Sequence, residues 1–262
     1  TGGAYRFAAD TLGETVVVLN GDILTDIDIS SLIDFHRDRS AAATLALATV
    51  EDPTAYGLVE KDTEENILRF LEKPKSDSIK PDGVNTINAG IYILEPSILD
   101  LIPEGEARSF EYDVFPAILD RKLPFFGYAM AGTYWRDLGN PKSYLEAHHD
   151  FFDGKIGTFA IDRDTTSDIA TVASIDSSSI IGPGCVIKPG ARITRSVIGP
   201  GVHIDEKAVI EGSVIWPHSR ISAAAEIRDA VIGRSCYIGR NVTVTNGTVL
   251  GDKASIPDYS RV

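Results

Sequence analysis

Thr15-Val16-Val17-Val18-Leu19-Asn20-Gly21-Asp22 is the stretch from which the first half of the chain is read. Residues with strand preference run directly into Asn-Gly-Asp. A continuous apolar run bounded by turn residues reads as a strand buried on both faces, as in a parallel sheet. Ligands of open α/β sheets sit beyond the carboxyl ends of such strands, so Asp22 stands where chemistry is expected. Gly21 would let a ligand approach the backbone closely. Asn-Gly and Gly-Asp also simply end strands, so this stretch alone leaves turn and ligand site both open.

Outward from it, Thr1-Gly2-Gly3-Ala4 reads as the middle of a loop. A parallel sheet needs more chain ahead of Thr15, so a first strand and its loop are expected before Thr1. Ser30 or Ser31 caps a helix through Arg39 whose face carries Leu32, Ile33, Phe35 and His36. His36 reads as a helix-face residue. Strands are expected at 43–50, 56–60 and 67–71, the last two forming a hairpin. The hairpin runs into Glu72-Lys73-Pro74, where Pro74 stops the ladder and holds Lys73 extended. Residues 75–85 read as loop. Thr86 to Leu94 is a strand interrupted by Asn88-Ala89-Gly90, which implies a bulge or a close approach by a ligand. Ser97 caps a short helix, 110–121 is a longer one, 123–130 is a strand, and Pro141 starts a helix to Phe152. His148 and His149 on that helix lack a partner at metal spacing. Alternating strands and helices indicate an α/β domain over 1–153, with a linker at 154–168.

From Ile175 the pattern changes. Aliphatic residues recur every six residues, with a step of five at 193→198, 210→215 and 227→232. Ile193, Ile210, Ile227 and Val244 therefore fall 17 residues apart. Such a period identifies a repeat architecture in which three short strands close a triangular coil. The fourth position after each aliphatic residue is usually small or apolar, as at Cys185, Ala191, Val197, Val202, Ala208, Val214, Ala225, Val231, Cys236 and Val242. These side chains are expected to point into the prism, which makes both cysteines core residues. The repeats resemble the left-handed β-helix family over residues 169–262, a fold that departs from the right-handed crossover rule. Its open ends favour self-association, so a homo-oligomer is expected. Hexapeptide acyltransferases share these repeats and use a histidine at a subunit cleft. His203 and His218 sit at corner-like phases here, and a surface corner explains them.

The bulk numbers exclude several classes. Of 262 residues, 43% are hydrophobic and 24% charged, so the chain is globular. A net charge of −13 argues against nucleic acid or an anionic membrane as partner. No apolar run is long enough to span a bilayer. Two cysteines make no disulfide framework, so a reducing cytoplasm is expected.

With Thr1-Gly2-Gly3-Ala4, Asn20-Gly21-Asp22, Tyr56-Gly57, Phe70-Leu71-Glu72-Lys73-Pro74, Asn88-Ala89-Gly90, Phe110-Glu111-Tyr112-Asp113-Val114-Phe115-Pro116 and Trp135-Arg136-Asp137-Leu138-Gly139 in this order, the chain resembles the sugar-phosphate nucleotidyltransferases. The resemblance implies a Rossmann-like mixed-sheet α/β domain followed by the β-helix. It implies transfer of a nucleotidyl group from a triphosphate to a sugar 1-phosphate. Two anions must meet in that reaction, so Mg²⁺ is the expected cofactor. By the same resemblance Asp22 and Asp137 bind the metal. Lys73 holds the sugar phosphate and, with Asp22, is the catalytic pair. Glu72 and Asn88 bond sugar hydroxyls, with the Gly57 and Gly90 backbones against the sugar. Gly2, Gly3 and Asp22 contact the nucleotide. The 109–116 and 213–219 stretches favour mannose 1-phosphate and GTP; glucose-1-phosphate thymidylyl, uridylyl or adenylyl transfer is the alternative. The family's Gly-rich basic triphosphate loop, G-x-G-T-R followed by lysine, is absent from this chain. It is expected ahead of Thr1; a natural lack of it would instead make the protein a noncatalytic regulatory or interaction subunit.

Overall fold

The computed structural model describes residues 1–73, 85–157, 166–245 and 247–262. Packing divides the chain into two compact units, Thr1–Trp135 and Arg136–Val262. The expected loop at 75–85 and the role expected of Pro74 lie almost wholly outside the described residues, as does much of the expected linker.

In chain order the first unit contains α1 (Gly2–Ala9), β1 (Val16–Leu19), β2 (Ile23–Thr25), α2 (Ile29–Asp38), β3 (Ala43–Thr49), β4 (Gly57–Lys61), β5 (Ile67–Glu72), β6 (Thr86–Leu94), α3 (Phe115–Asp120) and β7 (Phe125–Ala129). The main sheet runs β5-β4-β6-β3-β7, with β1 also paired to β6. It is mixed: β3 and β7 are parallel, and the remaining neighbours are antiparallel. Strand alternation sorts β6 onto two cores. Ile87, Ala89, Ile91 and Ile93 pack with Leu32 of α2. Tyr92 and Leu94 pack with Tyr5, Phe110 and Phe115.

Several local expectations change. β1 is not a strand buried on both faces in a parallel sheet. It is antiparallel to β6, and among the described residues no strand lies on its other side, so its residues are half-buried and Leu19 is 55% exposed. Its open edge faces a cavity of about 440 Å³ shared with α1. Thr1-Gly2-Gly3-Ala4 is no loop but the start of α1. The α2 cap is Asp28, whose carboxylate accepts from Ser30 and Ser31 N–H, rather than either serine. Ser97 lies inside a 3₁₀ turn, Pro96–Leu101, that follows Glu95. The helix expected over 110–121 opens with a π-helical turn, Phe110–Val114, capped by Ser109, before α3 begins. Lys73 is not extended: its φ is +43°.

β8 (Trp135–Asp137) spans the boundary of the units, and α4 (Pro141–Phe152) follows. The helix expected as the last element of the first domain thus packs with the second unit. Asn140 caps it through Ser143 N–H. His149 Nε2 donates to Gly212 O at 2.9 Å, Arg195 pairs with Asp153 at 2.8 Å, and the Tyr144 ring meets Trp216. Arg136 forks onto the buried Asp150 and reaches Glu146.

The rest of the unit is a parallel solenoid of short strands in three sheets. Partners stack 17 residues apart, as in Ile193↔Ile210↔Ile227↔Val244. Pairing into the last coil widens to 18, at Ile232↔Leu250 and Ile238↔Ile256. From Gly184 on, the corners carry a left-handed residue: Gly184, Gly190, Arg195, Gly201, Lys207, Gly212, His218 and onward to Tyr259. For a non-glycine residue that conformation costs roughly 1–2 kcal/mol. Hydrogen bonds between stacked corners offset it, for example His218 N–H to Pro200 O at 3.0 Å and Lys207 N–H to Pro189 O at 3.2 Å. His218 is therefore a corner, but His203 lies in a strand.

Cys185 and Cys236 are buried in the solenoid core, as expected. The inward phase differs from expectation in the five-residue steps. There Ser196, Ser213 and Ala230 fill the core, while Val197 and Val231 are only half-buried. The inward residue is fixed by strand alternation, two places before the next isoleucine, rather than four after the last. The buried serines are satisfied within a ladder: Ser196 Oγ donates to Thr194 O and accepts from Ser213 N–H, and Ser213 Oγ repeats this with Glu211 O and Ala230 N–H.

The coils approach closely at Gly199, where a Cβ would stand 2.8 Å from Pro217 N and 3.0 Å from Ile215 O. Gly199→Ala should cost about 1–3 kcal/mol by overpacking, and truncating the buried Ile210 to alanine about 2–5 kcal/mol. Urea unfolding followed by circular dichroism measures both.

Candidate active site

The polar groups of the first unit converge where β6 is interrupted. β3 advances from Leu45 to Leu47 while β6 goes from Tyr92 back to Asn88, so β6 carries two extra residues there. Gly90 takes up the distortion with φ +75°. The chain leaving β1 closes on this bulge, with Asn20 N–H donating to Gly90 O at 2.8 Å. A Cβ at Gly90 would stand 2.8 Å from Asn20 Nδ2, so only glycine fits. Asn88 Oδ1 accepts from Gly90 N–H at 3.0 Å, and its Nδ2 donates to Tyr92 Oη at 3.0 Å. Trp135 Nε1 donates to Ala89 O at 2.9 Å, and its ring meets Tyr56 edge-on.

The β4–β5 hairpin brings Gly57 opposite Glu72. A Cβ on Gly57 would stand 2.8 Å from Glu72 Oε2 and 2.6 Å from Phe70 Cζ, so the glycine makes room for the carboxylate. Burial pushes the Glu72 carboxyl up, the charge of Glu111 adds to this, and Lys73 opposes it. Glu111 sits on the π-helical turn and accepts from Ser109 Oγ at 2.5 Å and Thr1 Oγ1 at 3.2 Å. Thr1 Oγ1 also accepts from Phe110 N–H. Single π-helical turns are frequent at functional sites.

The structure thus brings Gly57, Glu72, Asn88 and Gly90 together, and Lys73 is near enough to act on Glu72. Asp22 is exposed beyond β1, and its carboxylate makes no hydrogen bond to the described residues. Nothing stands within 4 Å of a Cβ at Gly21, so the backbone there is open to solvent. Gly2 and Gly3 lie in the first turn of α1, where Cβ atoms would come within 3.1 Å of Arg108 O and 2.9 Å of Glu106 O. That packing is a structural reason for both glycines. Gly3 lines a groove of about 1120 Å³ together with Thr1, Arg6, Arg108 and Tyr112. In the second unit, an Asp137 oxygen accepts from Gly139 N–H and the Asp137 carbonyl accepts from Ser143 Oγ. Among the described residues no cluster of three or more His, Cys, Asp or Glu could hold a metal. Mg²⁺ does not need one, because it commonly takes one or two carboxylates and completes its shell with phosphate and water. Asp22 and Asp137 are suitable hard-oxygen donors.

Sequence reading assigned no role to Tyr92 or Glu111. Tyr92 was hidden in an apolar strand, where its only signal is a hydroxyl four places after Asn88. Glu111 lies in a motif that carried the resemblance, and only folding brings it to Glu72.

A nucleotidyl transferase family model matches residues 1–154. The chain belongs to this family. Residues 161–262 match a second model, described as the EIF2B subunit epsilon LbH domain, in agreement with the left-handed β-helix. The mannose-1-phosphate guanylyltransferase of Mycobacterium tuberculosis is 36% identical over 200 residues, which cover 73% of this chain and 54% of that protein. A probable mannose-1-phosphate guanylyltransferase of Oryza sativa is 35% identical over 199 residues, covering 74% and 53%. A UTP–glucose-1-phosphate uridylyltransferase of Synechocystis is 38% identical over 136 residues, covering 51% and 34%. The chain spans about half the length of the mannose-1-phosphate guanylyltransferases it matches. Among the described residues no helix is long and apolar enough to cross a membrane.

The raised Glu72 carboxyl has a consequence for this nucleotidyltransferase-family chain. The folded state holds that proton more tightly than the unfolded state, so Glu72 reduces stability as pH rises above its ordinary value of 4.5. Glu72→Gln should therefore raise the melting temperature at pH 7, with the gain shrinking below pH 4. Thermal unfolding across pH 3.5–7.5 measures it; a loss of stability at pH 7 would show that the carboxylate is net favourable there.

Proposed function

We propose that the protein joins mannose 1-phosphate to GTP, giving a nucleotide sugar and pyrophosphate. The observation that carries this reading is the convergence of Gly57, Glu72, Asn88 and the Gly90 bulge at one sheet end in a chain of the nucleotidyl transferase family. The preference for mannose and guanine comes from the named relatives, and glucose 1-phosphate with another base is the nearest alternative.

In the proposed reaction a phosphate oxygen of the sugar attacks the α-phosphorus of the triphosphate, and pyrophosphate leaves. Mg²⁺, when bound, neutralises the meeting phosphates and aligns the displacement. Asp22 and Asp137 are its proposed protein ligands, assigned by motif correspondence. The exposed Lys73 ammonium offers a point charge to the sugar phosphate. Glu72 and Asn88 offer acceptors and a donor to sugar hydroxyls, and the glycines at 57 and 90 leave the backbone accessible. Gly2 and Gly3 are proposed to lie on the nucleotide side. A cytoplasmic location and a homo-oligomer assembled through the β-helix belong to the same proposal. A second reading, an interaction subunit without turnover, draws on the β-helix match, whose description names a subunit.

The test is pyrophosphate release by the full-length protein over a panel of triphosphates and sugar 1-phosphates with Mg²⁺. GTP with mannose 1-phosphate should be the fastest pair, and EDTA should stop it. Asp22→Ala and Asp137→Ala should each lower turnover by about 10²–10³-fold, the scale of losing one group that stabilises transition-state charge. No turnover with any pair would leave the interaction-subunit reading.

A further inference from the structure

Tyr92 is a buried polar group without a place in the reaction above. It is 1% exposed, and its ring contacts Phe110 and Phe115. Those contacts need only the ring, and a buried hydroxyl is costly unless it is bonded. The hydroxyl meets this need within the site. It accepts from Asn88 Nδ2 at 3.0 Å. The Asn88 amide is thereby oriented without ambiguity. Gly90 N–H can only donate, so Asn88 Oδ1 faces it and Nδ2 is turned to Tyr92. One amide N–H and one oxygen lone pair of Asn88 remain for a ligand. That pairing of a donor with an acceptor suits adjacent hydroxyls of a sugar ring. Asn20 is held at the same point, wedged against Gly90 and bonded to its carbonyl, two residues before Asp22.

We infer that the Tyr92 hydroxyl is a positioning group that locks the side chain of Asn88, and so sets which sugar hydroxyl pattern the bulge accepts. This rests on the nucleotidyltransferase reading. Asn88 is the group that would touch the sugar, and Tyr92 acts through it.

Tyr92→Phe retains the ring and deletes only the hydroxyl. In the full-length protein the KM for mannose 1-phosphate should rise about fivefold, the equivalent of one hydrogen bond. The KM for GTP should stay unchanged, and the preference for mannose over glucose 1-phosphate should narrow. Independently of activity, the side-chain amide signals of Asn88 in the NMR spectrum should shift and exchange faster with water. An unchanged sugar KM with unchanged Asn88 signals overturns the inference. So does an equal loss for both substrates accompanied by a lower unfolding midpoint, which would mean packing alone. If the wild-type protein turns over no sugar 1-phosphate, the activity reading falls. The Asn88 amide signals then decide the role of Tyr92 by themselves: a shift with faster exchange supports it, and unchanged signals overturn it.

Discussion

Two extra residues in β6 are the constraint on which the first unit depends. β6 pairs with β1, β3 and β4, so every distortion in it is passed to three neighbours. An unbroken strand would continue the ladder and leave its backbone fully paired. The bulge instead turns Gly90 left-handed, which brings its carbonyl to Asn20 and its N–H to Asn88. A buried backbone polar group must find a partner, and here the partners are side chains and chain from a neighbouring strand. The cluster of polar groups is thus a consequence of satisfying one irregular stretch of backbone.

The second unit is governed by a different rule. In the solenoid each residue finds its partner one coil on, so the environment of a position repeats with it. Isoleucine stacks on isoleucine, serine on serine, and corner on corner. The left-handed corners would be costly singly, and most of them are bonded to the corner of a neighbouring coil. α4 joins this scaffold through Gly212, Trp216 and Arg195. Asp150 of the same helix holds Arg136, the residue before Asp137.

Much of the architecture was legible. β3, the β4–β5 hairpin, the broken strand at Asn88–Gly90 and the helix from Pro141 to Phe152 lie where periodicity and capping chemistry put them. Their signals are local: alternation and a proline at N1. The errors concern what a segment packs against. The apolar run at Val16–Leu19 looks the same whether its neighbour is parallel or antiparallel. Glycines 2 and 3 look like a loop until Glu106–Arg108 is seen to need the space over the helix. Val197 and Val231 look like core residues until strand alternation places Ser196 and Ala230 there instead.

By itself the sequence determined the β-helix, its coil length and the burial of both cysteines, because a repeated short-range pattern specifies both partners of every contact. It also determined the motifs through which the family is recognised. The tertiary structure decided the sense of β1, the room that Gly57 makes for Glu72, and the approach of Glu111 to Glu72. Those contacts join residues far apart in the chain, and no local pattern records which distant backbone or charge a side chain will meet.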